Sequence, residues 1–566
     1  MTSYKIVLND REYKSYKILN LDGEESDIEI NVVKHKLFND DIFEIDKDEN
    51  IKMVHSSVRS MSNIPGVLVL DTKRTYGKKK RKFLYKIIPD DKCLPEFLVA
   101  YNNKIIFNKK CVNKYVVFTF KNWDEKHPMA EIYQVLGSVI SLDTFYEYQL
   151  YCKSLYASNK VFTKETLQKL KRQSSDDLIE LMIQKYKPED RRDVEIYSID
   201  PENSKDFDDA FSYNETDDNI FLSIYIANVS FWMDALDIWG SFSQRISTIY
   251  LPNMKKPMLP NILSDVLCSL QENQTRFAFT LDLKFDKNYN LLNYEYKNTC
   301  IIVKRNFVYE TKELLELDVY RELLGFVQIL NRKEKYIDNI DNSHELVSYL
   351  MIYMNYISAQ TLLKKGVGIF RSAALKPGFV CPNGVETNVK KFLKQWNSSG
   401  GRYVKAEDKK EHMILELDSY VHITSPIRRL VDLLNILILQ NVLNLNNFNE
   451  SSNTFLSHWT SDPGLKYINK TMKSIRKVQN NCELLRICMY ENMENKKIYN
   501  GFIFDKTIMD DGLFKYMIYL PEIKMVNKIL SIEDKNNFAN EKFKLFTFIN
   551  ESNLKKKIRL EFDNKN

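Results

Sequence analysis

Hydrophobic and polar positions change their period several times along the chain, and each change marks a block. Short runs rich in β-branched and aromatic residues fill the first part: IPGVLVL (64–70), KFLYKII (82–88), EFLVAY (96–101) and YVVFTF (115–120). Clusters of Asp, Asn, Lys and Gly separate them at about ten- to fifteen-residue spacing, which predicts a small antiparallel barrel or sandwich. From Leu136 to about Lys187 the period becomes helical, with two or three short helices ending before Pro188. Strands are expected again over about 191–300, helices over about 305–365, and the longest helices over about 410–495. From about Lys496, the runs GFIFDKT, YMIYLP, KFKLFTFIN and KIRLEF alternate strands with polar turns. Small β modules therefore flank a large α/β centre.

Composition narrows the class. The 566 residues suggest about three to four domains. Hydrophobic residues make up 44% and charged residues 28%, enough apolar material to exclude global disorder. Only 15 Gly and 14 Pro exclude collagen-like and linker proteins. A net charge of +6 permits an acidic partner without demanding one, so position matters more than total. The densest positive run follows Gly77: Lys78, Lys79, Lys80, Arg81 and Lys82 lie between two expected strands. On a hairpin tip these charges would meet a phosphate backbone, although a solvated hairpin or a localisation signal fits equally.

Eight cysteines (Cys93, Cys111, Cys152, Cys268, Cys300, Cys381, Cys482 and Cys488) include no CxxC pair, and seven histidines show no zinc spacing. Buried free thiols in a reducing compartment are expected. The N-terminus is charged from Lys5 and has no apolar core of a signal peptide. The most apolar stretch, Leu433 to Leu445, is interrupted by Asn435, Gln440 and Asn441 and is too short to span a bilayer. A soluble, cytoplasmic protein without a membrane partner is the expectation.

The sharpest feature is SIDPENSKDFDDAFS (198–212), which holds Asp200, Asp206, Asp208 and Asp209 among apolar neighbours. Asp200 precedes a proline and is biased to extended backbone. Carboxylates crowded in a partly buried place cannot all stay ionised unless a cation joins them. Oxygen ligands without His or Cys favour Mg²⁺ or Mn²⁺ over Zn²⁺. A solvated acidic turn or a calcium loop remains open on composition alone, although the glycine and terminal Glu of an EF-hand are missing.

This string resembles the signature of the ribonuclease II/ribonuclease R/Dis3 exoribonucleases, the RNB family, whose central domain carries Asp, five residues, Asp, one residue, then Asp-Asp. Further blocks follow in order: Tyr250-Leu251-Pro252, Pro257-Met258-Leu259-Pro260, Leu263 to Leu270 with Arg276, Val303 to Tyr309, Met351 to Asn355, and Tyr420 to Asp432 with Thr424-Ser425-Pro426-Ile427-Arg428-Arg429. The resemblance spans about residues 60–500. It implies a multidomain α+β protein with a central RNB α/β catalytic domain flanked by OB-like β-barrels. The expected divisions are 1–60 (reduced cold-shock-like), 61–138 (cold-shock, with Trp123 near its end), 139–190 (helical connector), 191–495 (RNB) and 496–566 (divergent S1-like). The layout is similar to ribonuclease R or Dis3-like-2, without a PIN domain.

The resemblance also implies a chemistry: hydrolysis of single-stranded RNA from the 3′ end to nucleoside 5′-monophosphates, with Mg²⁺ or Mn²⁺ at the aspartates, in a monomer. By carry-over, Asp200 and Asp209 are direct metal ligands, and Asp206 and Asp208 bind a second ion or order water. Asp208 and Arg428 then act at the scissile phosphate, and Tyr250 packs on the terminal nucleotide. Lys78, Lys79, Lys80 and Arg81 are expected to touch RNA, whereas Pro257–Pro260 and Cys268 are expected to be structural. Departures stand beside the matches. Asn228 replaces an aspartate, expected to cost the site a helpful carboxylate. Leu430 replaces a tyrosine, Ile436 a histidine, and Ser348-Tyr349 stand where a glutamate is usual. Gln479 or Asn480 holds the place of a further glutamate. The alternative expectation is a catalytically weak relative kept as an RNA-binding or scaffolding protein.

Overall fold

The structure, a computed structural model, describes residues 3–46, 50–102, 111–375, 384–398, 400–408, 411–490 and 497–563. Cys381 and the expected division at 495/496 lie outside these residues. The chain forms two compact units. One comprises Met1–Tyr156, Leu251–Met254 and Arg476–Asn566, and the other Ala157–Tyr250 and Lys255–Ile475.

The first unit is mainly β. Its N-terminal sheet has four antiparallel strands in the order Tyr16–Asn20, Ser3–Leu8, Ile42–Ile45, Ile51–His55. The second sheet closes on itself. Ile64–Leu68 pairs with both Lys114–Asn122 and Lys82–Pro89, and Phe97–Tyr101 and Met129–Ser138 complete the ring. Five strands closed in this way make an OB-like barrel, filled by Ile87, Phe97, Val116 and Phe118. Closure brings backbones so near at Gly66 that a Cβ there would lie 2.7 Å from Ile87 Cγ2 and 2.9 Å from the Ile88 carbonyl. Trp123 is buried at one side of this core, its ring 4.9 Å from that of Phe38. The C-terminal sheet has five antiparallel strands in the order Met525–Ser531, Phe514–Leu520, Tyr499–Ile508, Asn540–Asn550, Lys555–Phe562.

The basic run forms the expected hairpin. Lys78–Lys79 pairs with the start of Lys82–Pro89, and the two turn residues Lys80 and Arg81 have φ of 47° and 64°. Both in the left-handed region make a type I′ turn, whose twist matches the flanking strands. All four side chains are exposed.

The second unit is built on a seven-stranded sheet in the order Glu189–Arg191, Leu291–Ile302, Thr275–Asp286, Asn219–Ala227, Asp209–Glu215, Tyr197–Asp200, Arg305–Val308. Pairing is antiparallel through the centre and parallel at both edges. Asp318–Lys333 and Ser343–Lys364 pack against the sheet, and Tyr296 and Ser358 hydroxyls meet at 3.0 Å across that contact. Helix Leu430–Val442, which takes in most of the apolar stretch Leu433 to Leu445, is sealed in the same core. Among the described residues, no helix is long and apolar enough to cross a membrane.

Three expectations need correction. The stretch 191–300 is not all strand: the apolar run after Asn228 folds as helix Val229–Ala235, buried almost throughout, and short turns follow. The helical block after 305 begins as strand Arg305–Val308, because it adds in parallel to Tyr197–Asp200 at the sheet edge. The barrel's last strand runs to Ser138, three residues into the stretch expected to be helical. The seven described cysteines form no disulfide with one another, and Cys93, Cys111 and Cys152 are only partly buried.

Candidate active site

Every aspartate of the signature lies at one end of the seven-stranded sheet. Tyr197–Asp200 and Asp209–Glu215 are adjacent antiparallel strands, so the segment 201–208 only has to reverse the chain between them. Asp200 closes one strand and Asp209 opens the next. Neighbouring strand ends fix this edge: the Ala227 N–H donates to the Asp208 carbonyl (2.8 Å), and the Tyr309 N–H donates to that of Asp200 (3.2 Å). Above it lies a cavity of about 940 Å³ lined by all four aspartates, Tyr250, Lys255, Asp265, Tyr309, Ser348, His422 and Arg428, among others.

The four carboxylates have different partners. Asp208 is buried, and both its oxygens accept: Oδ1 from the Ile427 N–H (2.9 Å) and Oδ2 from Arg428 Nε (3.2 Å). Burial pushes its carboxyl up to about 7, opposed by the Arg428 charge. We assign it as ionised, since a proton on either oxygen would face an N–H donor. Asp206 accepts from Lys255 Nζ at 2.9 Å. Asp200 and Asp209 make no ion pair among the described residues, although the Arg428 charge acts on both. Burial first, then the charges of neighbouring carboxylates, raises both well above the usual carboxylate range. Asp200 Oδ2 is buried without a hydrogen-bond partner.

Arg428 is held from both sides. Its loop, 424–429, leads into helix Leu430–Val442 and is tied down by Asp432, whose Oδ1 accepts from the Ser425 N–H (2.8 Å) and Arg429 Nη2 (2.9 Å). Asn355, from the long helix, accepts from the Ile423 N–H (2.9 Å) and donates to the Tyr420 hydroxyl (3.0 Å). On the other flank, the Thr248 N–H and the Ser247 hydroxyl donate to the Arg428 carbonyl (2.9 and 3.0 Å). Nε is committed to Asp208, and Nη2 donates to Ser425 Oγ at 3.1 Å. Nη1 has no protein partner among the described residues, and the side chain is 46% exposed. An anchored guanidinium with one free edge suits a phosphate oxygen.

Tyr250 lies two residues beyond Thr248 and is 42% exposed at the cavity, so it is not a core tyrosine. Tyr309 enters the cavity from the strand end at the opposite side and stacks on His344 at 3.7 Å. Lys78, Lys79, Lys80 and Arg81 belong to the other unit and do not line this cavity.

Sequence reasoning missed Lys255 and Asp265. Lys255 Nζ bridges Asp206 Oδ1 at 2.9 Å and Asp265 Oδ1 at 3.4 Å. Burial pulls the Lys255 ammonium down, but Asp206 and Asp265 together hold it above the ordinary lysine value. The only signal in the sequence was a Lys-Lys pair beside a segment expected to be structural. That expectation holds for its neighbours: Met258, Leu259 and Cys268 are buried.

Asn228 requires a correction. It does not line the cavity but sits in a buried amide network, donating to Asn298 Oδ1 (2.9 Å) and accepting from the Ser230 hydroxyl. Its difference from aspartate therefore removes no carboxylate from the site. Leu430 and Ile436 are fully buried core residues. Ser348 does line the cavity, and Tyr349 is core.

No group of three or more His, Cys, Asp or Glu side chains converges as a ligand set among the described residues. The residues present nevertheless fit a hard divalent ion. Asp200 and Asp209 are oxygen donors with raised carboxyls and one orphaned buried oxygen between them.

Comparison with known proteins agrees with this geometry. The RNB domain family matches residues 189–319 and 380–445, which contain all four aspartates and Arg428. Ribonuclease R of Chlamydia muridarum is 28% identical over 313 residues, 43% of this chain and 45% of its own length. The chain thus spans about half the length of the curated relatives it matches. Mycoplasma genitalium RNase R, solved with ribose-methylated single-stranded RNA, superposes with a TM-score of 0.70 at 16% identity, covering 99% of this chain and 100% of that one. Yeast Ssd1, a pseudonuclease, superposes with a TM-score of 0.60 at 13% identity, covering 94% of this chain and 78% of its own. Ordered motifs, the family match and the shared fold converge on one assignment: the chain contains an RNB domain and has a ribonuclease R-like fold.

Proposed function

We propose that the chain is a 3′→5′ hydrolytic exoribonuclease that shortens single-stranded RNA to nucleoside 5′-monophosphates. The observation that carries this reading is the Asp208–Arg428 pair beside Asp200 and Asp209, at the floor of one cavity. Asp200 and Asp209 would hold Mg²⁺ or Mn²⁺. Such an ion, when bound, lowers the pKa of water and offsets charge on the oxygens entering and leaving phosphorus. Arg428, pinned by Asp208 and Ser425, presents Nη1 to a phosphate oxygen and loses little conformational freedom in doing so. Tyr250 packs on the terminal nucleotide and fixes the register of the scissile bond. Hydrolysis breaks the bond between phosphorus and the 3′ oxygen of the preceding nucleotide, leaving that nucleotide with a 3′ hydroxyl. The hairpin residues Lys78, Lys79, Lys80 and Arg81 contribute charge along the approaching strand. The RNA complexes of Mycoplasma genitalium RNase R support RNA as the ligand.

A second reading has its own support. The fold is shared with a pseudonuclease, and the carboxylates do not converge as a set of three. On that reading the chain binds RNA without cutting it. End-labelled single-stranded RNA incubated with Mg²⁺ or with EDTA separates the two. Mononucleotides with Mg²⁺ alone support the enzyme, and stable binding without shortening supports the scaffold.

A further inference from the structure

Charge pairing within the cavity is uneven. Of the four signature aspartates, Asp208 already faces a guanidinium and Asp206 an ammonium, each supplied by the protein. Asp200 and Asp209 make no ion pair among the described residues, although the Arg428 charge acts on both, and one buried oxygen of Asp200 has no hydrogen-bond partner. We infer that Lys255 takes the place of a second metal ion: its ammonium, set between Asp206 and Asp265, leaves one divalent ion as the complement of Asp200 and Asp209.

The geometry is specific to that role. Lys255 Nζ is within 2.9 Å of Asp206 and 3.4 Å of Asp265, and each of these side chains is only 15% exposed. Asp265 is itself fixed, accepting from the Ser264 hydroxyl at 2.6 Å. Two carboxylates separated only by an ammonium would repel strongly without it, and a hard cation would then enter between them. A doubly charged ion beside Lys255 would instead meet a like charge. The two unpaired carboxylates carry −2, which one divalent ion balances. Lys255 is therefore a positioning residue, orienting Asp206 at the cavity wall.

This inference rests on the proposed metal-dependent reading, and its test separates the two. Bound Mn²⁺ is counted on the full chain by electron paramagnetic resonance, for wild type, Lys255→Met and Lys255→Arg. Wild type and Lys255→Arg should each hold one ion at the site, whereas Lys255→Met should take a second, weaker one. Single-turnover cleavage by Lys255→Met should fall about 10- to 100-fold at low Mg²⁺ and recover at high Mg²⁺. A merely structural lysine would not be replaced by added metal. Two ions in wild type, or an unchanged count in Lys255→Met, would overturn the role of Lys255 while leaving the ion at Asp200 and Asp209. No ion in any of the three proteins would overturn both.

Discussion

Arg428 Nε donates to Asp208 Oδ2 across 3.2 Å and 220 residues of sequence. Neither residue can be judged alone, because the guanidinium is aimed by the carboxylate and the buried carboxylate is neutralised by the guanidinium. Lysine at 428 would keep the charge but could not reach Asp208, Ser425 and a phosphate in one plane. Arg428→Lys should lower the single-turnover rate about 100-fold or more, with a much smaller change in RNA affinity. Rates measured beside binding isotherms decide it; an affinity defect with normal chemistry would refute the assignment.

Asp209→Asn keeps the side-chain shape and removes the charge. Cleavage should drop to the level of an EDTA control, and RNA should still bind. Near wild-type cutting in Mg²⁺ would place the ion elsewhere.

Tyr250→Ala should alter where digestion stops. A long RNA is gripped at many points, but the last few nucleotides depend on contacts near the cleaved bond, each stacked base contributing ~1–3 kcal/mol. Loss of the ring should leave longer terminal products while early shortening continues at a similar rate. The two ladders are compared on a denaturing gel at equal extents of digestion. Identical ladders would show that the exposure of Tyr250 has no part in holding the end.

Two buried histidines should cost the second unit stability in acid, against the opposing effect of the raised Asp200, Asp208 and Asp209 carboxyls. His412 and His422 are buried, which lowers the pKa of the first to about 4 and of the second further, with nearby arginines adding to each shift. The His412 Nδ1 accepts from the Leu415 N–H at 3.3 Å, a contact that a protonated ring cannot make. A histidine whose folded pKa is depressed binds more protons when unfolded, so its contribution is complete above about 6.5 and fades as pH falls towards the folded value. The melting-temperature difference between wild type and His412→Gln should therefore shift against the wild type from pH 7 to pH 4, whatever the carboxyls common to both proteins contribute. A difference between the two proteins that stays constant over this interval would contradict the assignment.

How much was legible depended on whether the signal was local. The barrel runs at 64–70, 82–88, 96–101 and 115–120 were visible because β-branched and aromatic residues alternate there, and each became a strand. Met129–Ser138 reads less clearly, since Met, Ala, Glu, Gln and Leu by themselves favour helix. Its pairing with strands on both sides decides the outcome. The aspartates were legible because their spacing is contained in ten residues. Lys255 was not, since its partner Asp206 lies 49 residues away and nothing in either neighbourhood announces the other. Asn228 was misjudged because the resemblance marks an aspartate at that position, whereas its partners Asn298 and Ser230 lie in the core.

The turn at Lys80 and Arg81 sets two material properties against each other. Residues with a Cβ lose about 1–2 kcal/mol each in the left-handed conformation, a loss that Asn and Gly largely avoid. Replacing the pair by Asn-Gly would make the barrel more heat-resistant and would also strip two positive charges from its tip. Resistance to unfolding and sensitivity of RNA affinity to ionic strength would then shift in opposite directions from a single edit, so a thermostability screen on this barrel would select against its own cationic tip.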